Sequence, residues 1–310
     1  MKFLLCSFLI FSLNAFAQPL NILRTDGSSI RLFVETPNQK SFPLVILVHG
    51  STCNSVYPLF QSLTPSLLAA GIAVATVEKY GIDELQNVCP NSYIENNTIQ
   101  GRVLDHLQVV AHFRKNLKGW NHKIGWAGGS EGGQVASLVA PLVPETSAIV
   151  MLASGGGMTM AEELSLLTER SLKKSGASSV QIQNELDSLS KKYDEIKKNP
   201  TSDKEWLSDG GTARNTYKWW NSILWIKSLP LLENLDIPLY VAHGTEDSSC
   251  PYESSNVIAE RFKNLGKTNL SFKTYSGLEH NWTDHDGISH MQQVLGDAIG
   301  WLVDKLLERP

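Results

Sequence analysis

The sequence GGSEGG at residues 128–133 carries the strongest chemical signal in the chain. It follows an apolar stretch at residues 123–127 and precedes a helical one, so it lies at a strand-to-helix turn. Glycines two positions before and after a serine permit a very tight turn that exposes the hydroxyl. We therefore predict Ser130 as a nucleophile, with Gly128 and Gly132 as the glycines of its elbow. Glycine-rich turns also bind phosphate, but the Lys-Ser/Thr pair of a P-loop is missing from this motif.

A serine nucleophile needs a base and an acid that orients the base, and both types of residue follow in the expected order. Asp247 comes after strand-like residues 237–242, and His280 comes after strand-like residues 271–275. Because the carboxyl ends of parallel strands meet at one edge of a sheet, these two residues are predicted to complete a triad with the serine. Glu246 is the alternative acid.

The oxyanion of an acyl-transfer reaction needs two preorganised backbone donors. The N–H of Glu131, directly after the nucleophile, is predicted as one of them. The second is predicted as the N–H of Ser51, in the loop that follows a strand ending at Val48. We expect the His49 side chain in this loop to be structural rather than a base.

The elements that must position these residues alternate between strands and helices, which is typical of βαβ units. Residues 21–36 alternate in polarity and predict an antiparallel hairpin. We predict an α/β fold with a mostly parallel central sheet flanked by helices. The predicted strands are residues 42–48, 72–77, 123–127, 148–153, 237–242 and 271–275, and the predicted helices are residues 57–70, 97–117, 131–143 and 290–307.

The segment at residues 156–232 has helical spacing and no strand-like run. It predicts a helical cap over the crevice in which the loops with Ser130, Asp247 and His280 meet. The core is then residues 18–155 and 233–310. Tryptophans are concentrated in the cap, where they either line a substrate pocket or form the cap's own core. They are Trp206, Trp219, Trp220 and Trp225.

The first residues read as a signal peptide. Lys2 precedes an apolar run at residues 3–10, and Ala15-Phe16-Ala17 is a small-residue cleavage pattern. The run is too short to span a bilayer, which needs about 20 residues. We predict cleavage after Ala17, leaving residues 1–17 as the signal, and export to the periplasm or the outside of the cell.

Charge and composition exclude several classes of partner. A net charge of -4 and a pI near 6.1 leave no basic surplus for a phosphate backbone, so we expect no nucleic acid partner. No later segment is long and apolar enough to span a membrane. The motifs imply neither a metal nor an organic cofactor, and the oligomeric state stays open.

Taken together, five motifs resemble those of the α/β-hydrolase superfamily over nearly all of the mature chain. The chain is most similar to cap-bearing bacterial carboxylesterases and prolyl oligopeptidase-like hydrolases, although many relatives have a histidine at Gly129 and many esterases have a second glycine where Thr52-Cys53 stands. The motifs are residues 47–51 (LVHGS), 128–133 (GGSEGG), 148–153 (AIVMLA), 237–247 (IPLYVAHGTED) and 277–280 (GLEH).

The resemblance implies a serine hydrolase that cleaves small-molecule carboxylic esters through an acyl-enzyme. A peptidase or amidase of the prolyl oligopeptidase type is the alternative, and a non-catalytic binding module is a third. The fold it implies also brings the loop after Val48 close to the loop near Val77. This proximity favours a disulfide between Cys53 and Cys89 that leaves Cys250 free, although Cys250 could compete for either partner and all three could be unbridged.

Overall fold

Apolar and β-branched runs form the strands of one sheet. The computed structural model describes residues 18–82 and 88–308. The predicted signal peptide therefore lies outside the described residues. The strands are β1 (Leu20–Leu23), β2 (Ser29–Glu35), β3 (Phe42–Val48), β4 (Ala73–Val77), β5 (Trp120–Gly129), β6 (Thr146–Leu152), β7 (Leu239–Gly244) and β8 (Leu270–Tyr275).

These eight strands are ordered β1-β2-β4-β3-β5-β6-β7-β8. β1 and β2 form the predicted hairpin, β2 pairs antiparallel with β4, and β3 to β8 are parallel. Every residue of β3 is buried, because helices cover both faces of the sheet. The predicted α/β fold with a mostly parallel sheet is confirmed.

Helices pack against both faces of this sheet. Those outside the predicted cap are α1 (Tyr57–Ala69), α2 (Asn91–Asn96), α3 (Ile99–Asn116), α4 (Glu131–Val139), α9 (Tyr252–Asn264) and α10 (Met291–Leu307), and a 3-10 turn (Ala140–Leu142) follows α4. Two apolar clusters hold most of these helices in place. One cluster contains residues of α3 and α4, and the other contains residues of α1 and α10.

The segment predicted as a cap contains the helices α5 (Met160–Lys174), α6 (Ser179–Lys198), α7 (Tyr217–Ile223) and α8 (Leu229–Leu232). The first two begin with capping boxes at Thr159 and Ser178, which satisfy backbone donors in the first turn. The chain between α6 and α7 is irregular rather than helical, with one isolated bridge between Glu205 and Thr216. Pro200 stands at the start of this stretch and ends the helical run.

None of the helices within residues 18–82 and 88–308 combines the length and apolar character that crossing a bilayer requires.

Candidate active site

Ser130 occupies a strained turn between β5 and α4. Its φ of 54° lies in the left-handed region that side chains rarely adopt, and its N–H donates to the Leu152 carbonyl at 2.8 Å. A Cβ on Gly128 would lie 2.4 Å from backbone atoms of Gly132, and a Cβ on Gly132 would lie 2.1 Å from the Val48 carbonyl oxygen. Glycine is therefore required at both positions for the turn to pack between β3 and α4.

The structure brings the three predicted triad residues together. The Oγ of Ser130 lies 3.1 Å from Nε2 of His280, and Nδ1 of His280 lies 2.8 Å from Oδ2 of Asp247. A proton on Nδ1 donates to the carboxylate, so Nε2 is free to accept the serine proton. The alternative acid, Glu246, is exposed, whereas Asp247 is fully buried.

The carboxylate of Asp247 accepts from four donors. Oδ1 accepts from the N–H groups of Ser249 at 2.9 Å and Cys250 at 2.8 Å, and Oδ2 accepts from His280 and from Nε2 of His243 at 3.1 Å. Burial acts to raise the pKa of this carboxyl, but hydrogen bonds from the two histidines and Cys250 outweigh it and hold the pKa below its usual value. Asp247 is therefore an anion in a fixed orientation.

His243 is a functional candidate that the sequence analysis did not single out. Its Nε2 faces two acceptors, Oδ2 of Asp247 at 3.1 Å and the Cys250 carbonyl at 2.9 Å, so this nitrogen carries a proton. Nδ1 lies 2.7 Å from Oγ of Ser255 on α9. The only sequence signal was its position in the HGTED motif, four residues before the acid. Its hydrogen bonds fix the carboxylate that orients His280.

The two predicted oxyanion donors come from separate elements. Glu131 is the first residue of α4, and Ser51 follows β3 in a loop that passes beside the nucleophile. A Cβ on Gly50 of this loop would lie 3.8 Å from Cβ of Ser130. Within residues 18–82 and 88–308, neither N–H of the predicted pair donates to a backbone carbonyl. The Tyr93 hydroxyl donates to the Ser51 carbonyl at 2.8 Å, which orients this peptide.

Arg102 of α3 joins these two elements. Its guanidinium forms a buried ion pair with the Glu131 carboxylate and donates to the His49 carbonyl at 2.5 Å. Nε1 of Trp219 on α7 donates to the second carboxylate oxygen at 3.0 Å. Arg102 was not predicted as a site residue, because nothing in the sequence around it distinguishes it from an ordinary helix residue. Trp219 was predicted to line a substrate pocket or to form the cap's own core, and its bond to Glu131 was not predicted.

His49 and Lys79 form a second, partly buried pair in the same loop region. Nζ of Lys79 lies 2.7 Å from Nδ1 of His49 and also donates to the Thr52 carbonyl. Burial, with the nearby charges of Lys79 and Arg102, lowers the pKa of His49 to about 2. Burial lowers the pKa of Lys79 to about 7. His49 is therefore neutral and held within the loop, which agrees with the structural role expected from the sequence.

A disulfide joins Cys53 to Cys89, with 5.4 Å between the Cα atoms. The N–H of Cys53 donates to the Thr212 carbonyl at 2.9 Å, so the irregular stretch between α6 and α7 also contacts this loop. Cys250 is a free, buried thiol. The bridge thus ties the end of the loop that follows β3 to the chain before α2.

The tryptophans of residues 156–232 pack mostly on each other. Trp220 lies between Trp206 and Trp219, with ring centroids 4.8 and 4.6 Å away, and its Nε1 donates to the Trp206 carbonyl at 2.7 Å. Trp225 is 45% exposed and packs edge-on against Tyr193. Trp219 is hydrogen-bonded to the carboxylate of Glu131, the residue that follows the nucleophile.

The fold and this arrangement of serine, histidine and aspartate define an α/β-hydrolase of the serine hydrolase class. The chain belongs to the family described as serine aminopeptidase S33, which it matches over residues 39–286. Its resemblance to α/β-hydrolases is thereby confirmed.

Two solved structures share the fold. Est1E from Butyrivibrio proteoclasticus superposes with a TM-score of 0.61 at 17% identity, over 93% of this chain and 99% of that one. The acylaminoacyl peptidase of Pyrococcus horikoshii superposes with a TM-score of 0.61 at 15% identity, over 97% of this chain and 44% of that one. At such identities the likeness concerns the fold.

A curated relative matches over a shorter stretch. The acyl-protein thioesterase 1 of Candida albicans is 36% identical over 53 residues, which are 17% of this chain. The match spans 23% of the length of that relative.

Proposed function

We propose that this protein is an exported esterase that cleaves carboxylic esters through a covalent acyl-enzyme on Ser130. The observation that carries the proposal is the 3.1 Å contact between Oγ of Ser130 and Nε2 of His280, whose Nδ1 lies 2.8 Å from Asp247. This geometry suits general-base activation of an alcohol nucleophile. An intact triad also counts against a non-catalytic binding module.

In the proposed reaction, Nε2 of His280 takes the Ser130 proton as Oγ attacks the ester carbonyl. The N–H groups of Glu131 and Ser51 stabilise the resulting oxyanion. The imidazolium, held by Asp247, returns the proton to the leaving alcohol, and the acyl group stays on the serine. Water activated by the same imidazole then releases the acid and restores the hydroxyl.

The pairing of Glu131 counts against this carboxylate as the anchor for the ammonium of a peptide with a free amino terminus. An aminopeptidase needs an unpaired carboxylate near the nucleophile to bind the substrate ammonium. The Glu131 carboxylate is already paired with Arg102 and hydrogen-bonded by Trp219, so it is not free for that purpose. A peptidase or amidase is the second candidate, which the family description and the acylaminoacyl peptidase neighbour favour.

Export is proposed from the signal-like residues 1–17. The disulfide between Cys53 and Cys89 supports it, because such bonds persist in oxidising compartments. Two contacts, from Trp219 to Glu131 and from Cys53 to Thr212, support a further part of the proposal, that residues 156–232 cover the crevice.

The test is a substrate panel run on purified protein and on its Ser130→Ala variant. We expect hydrolysis of nitrophenyl esters, little turnover of aminoacyl arylamides, and loss of both activities in the variant. A fluorophosphonate should label Ser130 alone. Preferential cleavage of the arylamides would favour the peptidase, and full esterase activity in Ser130→Ala would overturn the proposed nucleophile.

A further inference from the structure

An apolar cavity of about 190 Å³ lies between α1 and α10, on the face of the sheet that these two helices cover. Leu63 and Leu67 line it from α1, Leu295 and Ile299 line it from α10, and Ala127 forms part of its floor on β5. Apolar residues of α5, α6 and α7 belong to the cluster on the other face. The cavity is therefore separate from the predicted cap.

Small residues on β5 create this space. A Cβ on Gly125 would lie 2.8 Å from Cδ1 of Leu302, so the helix closes over the strand at that point. Two and four residues further on, Ala127 and Gly129 line the open cavity, and Ala127 stays partly accessible although its strand is central in the sheet. The cavity thus ends blindly near Gly125 and opens toward the end of β5.

The open end has lining residues beside the nucleophile. Gly129 directly precedes Ser130, and Gly50, which also lines the cavity, has its Cβ position 3.8 Å from Cβ of Ser130. Gly50 belongs to the loop that carries the predicted Ser51 donor. A group held in the cavity would therefore leave it beside the oxyanion donors, where the acyl carbonyl has to lie.

The lining fits a hydrocarbon chain. Among the described lining residues, His49 is the only titratable one, and its Nδ1 is engaged by Lys79. Dry apolar cavities of about 150 Å³ are large enough to bind benzene. The volume of about 190 Å³ thus suits several methylene groups.

On these grounds we propose that the cavity between α1 and α10 binds the unbranched apolar acyl chain of the substrate. The inference rests on the proposed esterase function and adds a substrate class to it. Each methylene buried in the cavity raises kcat/KM by about four-fold, and the gain stops when the chain reaches the blind end.

The test measures kcat/KM for nitrophenyl esters from acetate to dodecanoate. Leu295→Trp fills the cavity and should lower the ratio of octanoate to acetate by about ten-fold or more. Leu63→Ala lengthens the cavity and should move the preferred chain to a longer acid. Gln293→Trp adds the same ring to the exposed side of α10 and should leave the ratio within about two-fold of wild type.

Unchanged ratios in both cavity variants would overturn the inference while leaving the esterase intact. Should Leu295→Trp fail to fold, the preferred chain length of Leu63→Ala decides alone. A parallel series of alkyl acetates, in which the alcohol is lengthened instead of the acid, distinguishes selectivity for the alcohol from selectivity for the acyl chain. Selectivity that changes only along that series would assign the cavity to the alcohol and overturn the acyl assignment. Failure of the fluorophosphonate to label wild-type Ser130 is a separate result, which would overturn the proposed function.

Discussion

Arg102 and Glu131 form a buried ion pair directly behind the nucleophile. Glu131 follows Ser130 in the chain, and the same guanidinium donates to the His49 carbonyl at 2.5 Å. The two segments proposed to stabilise the oxyanion are thus joined through one side chain from α3. Preorganised donors are effective because they need no rearrangement during the reaction, so the pair is placed to act on catalysis as well as on stability.

Arg102→Met should lower both stability and turnover. The change leaves the Glu131 carboxylate buried without its cation, which typically costs about 3–5 kcal/mol. It also releases the His49 carbonyl and loosens the loop that carries Ser51, so we expect kcat to fall more than KM rises. Denaturant unfolding and steady-state kinetics with a short ester measure the two effects.

The double variant Arg102→Met with Glu131→Gln separates these effects. Removing the unpaired charge should restore much of the stability, and the oxygen of the introduced amide would still accept from Trp219. A low kcat in the restored protein supports positioning by Arg102. A wild-type kcat in the double variant would show that the ion pair contributes to stability and not to catalysis.

Asp247→Asn should reduce kcat by about four orders of magnitude, since loss of the orienting acid in such triads has that effect. Glu246→Gln is the matched control one residue away and should stay near wild type, because Glu246 is exposed and Asp247 is buried. The reverse pattern would move the acid to Glu246.

His243→Leu should lower kcat with little change in KM, because Oδ2 of Asp247 loses one of its two imidazole donors. Hydrogen bonds to charged groups contribute about 1.5–3 kcal/mol, so stability should fall by a similar amount. His243→Gln retains a donor and should recover part of kcat. Loss of stability with unchanged kcat in both variants would give His243 a purely structural part.

Replacing Cys53 and Cys89 together by serine should lower the free energy of unfolding by roughly 3–4 kcal/mol, because the bridge closes a loop between residues 36 apart in sequence. Cys250→Ala is the control and removes no bridge. Peptide mapping without reduction tests the pairing directly. A linked peptide containing Cys250 would contradict it.

The stability of the protein should depend on pH through Glu163. Burial raises the pKa of this carboxyl to about 7 from an ordinary value of 4.5, and the Cys250 thiol lies 3.7 Å from it. Between these pH values the folded chain binds a proton that the unfolded chain has released, so stability falls as the pH rises from about 4.5 through 7.

Glu163→Gln removes this dependence. The free energy of unfolding of the variant relative to wild type should rise by on the order of 3 kcal/mol between pH 4 and pH 8, as a pKa shift of this size implies. Urea unfolding of both proteins across that range measures the difference. If the difference in unfolding free energy between the two proteins were the same at every pH, the pKa of Glu163 would not be raised.

The sequence by itself determined the strands, most helices and the three residues now found in contact as a triad. These features depend on local spacing. The period of apolar residues distinguishes β3 from α3, and the tight turn around Ser130 requires glycines at fixed offsets. Their order along the chain then predicted which loops meet at the carboxyl edge of the sheet.

Only the tertiary structure decided which side chains support those residues. Asp247 and Glu246 are adjacent carboxylic acids. They are distinguished because Asp247 is buried against His243. Arg102 reaches Glu131 from 29 residues away, and the α1–α10 cavity is lined by two helices distant in sequence and by small residues of β5. The Arg102–Glu131 contact and the cavity both depend on how whole helices and strands pack together. The spacing of residues within one helix or strand does not encode its distance from another.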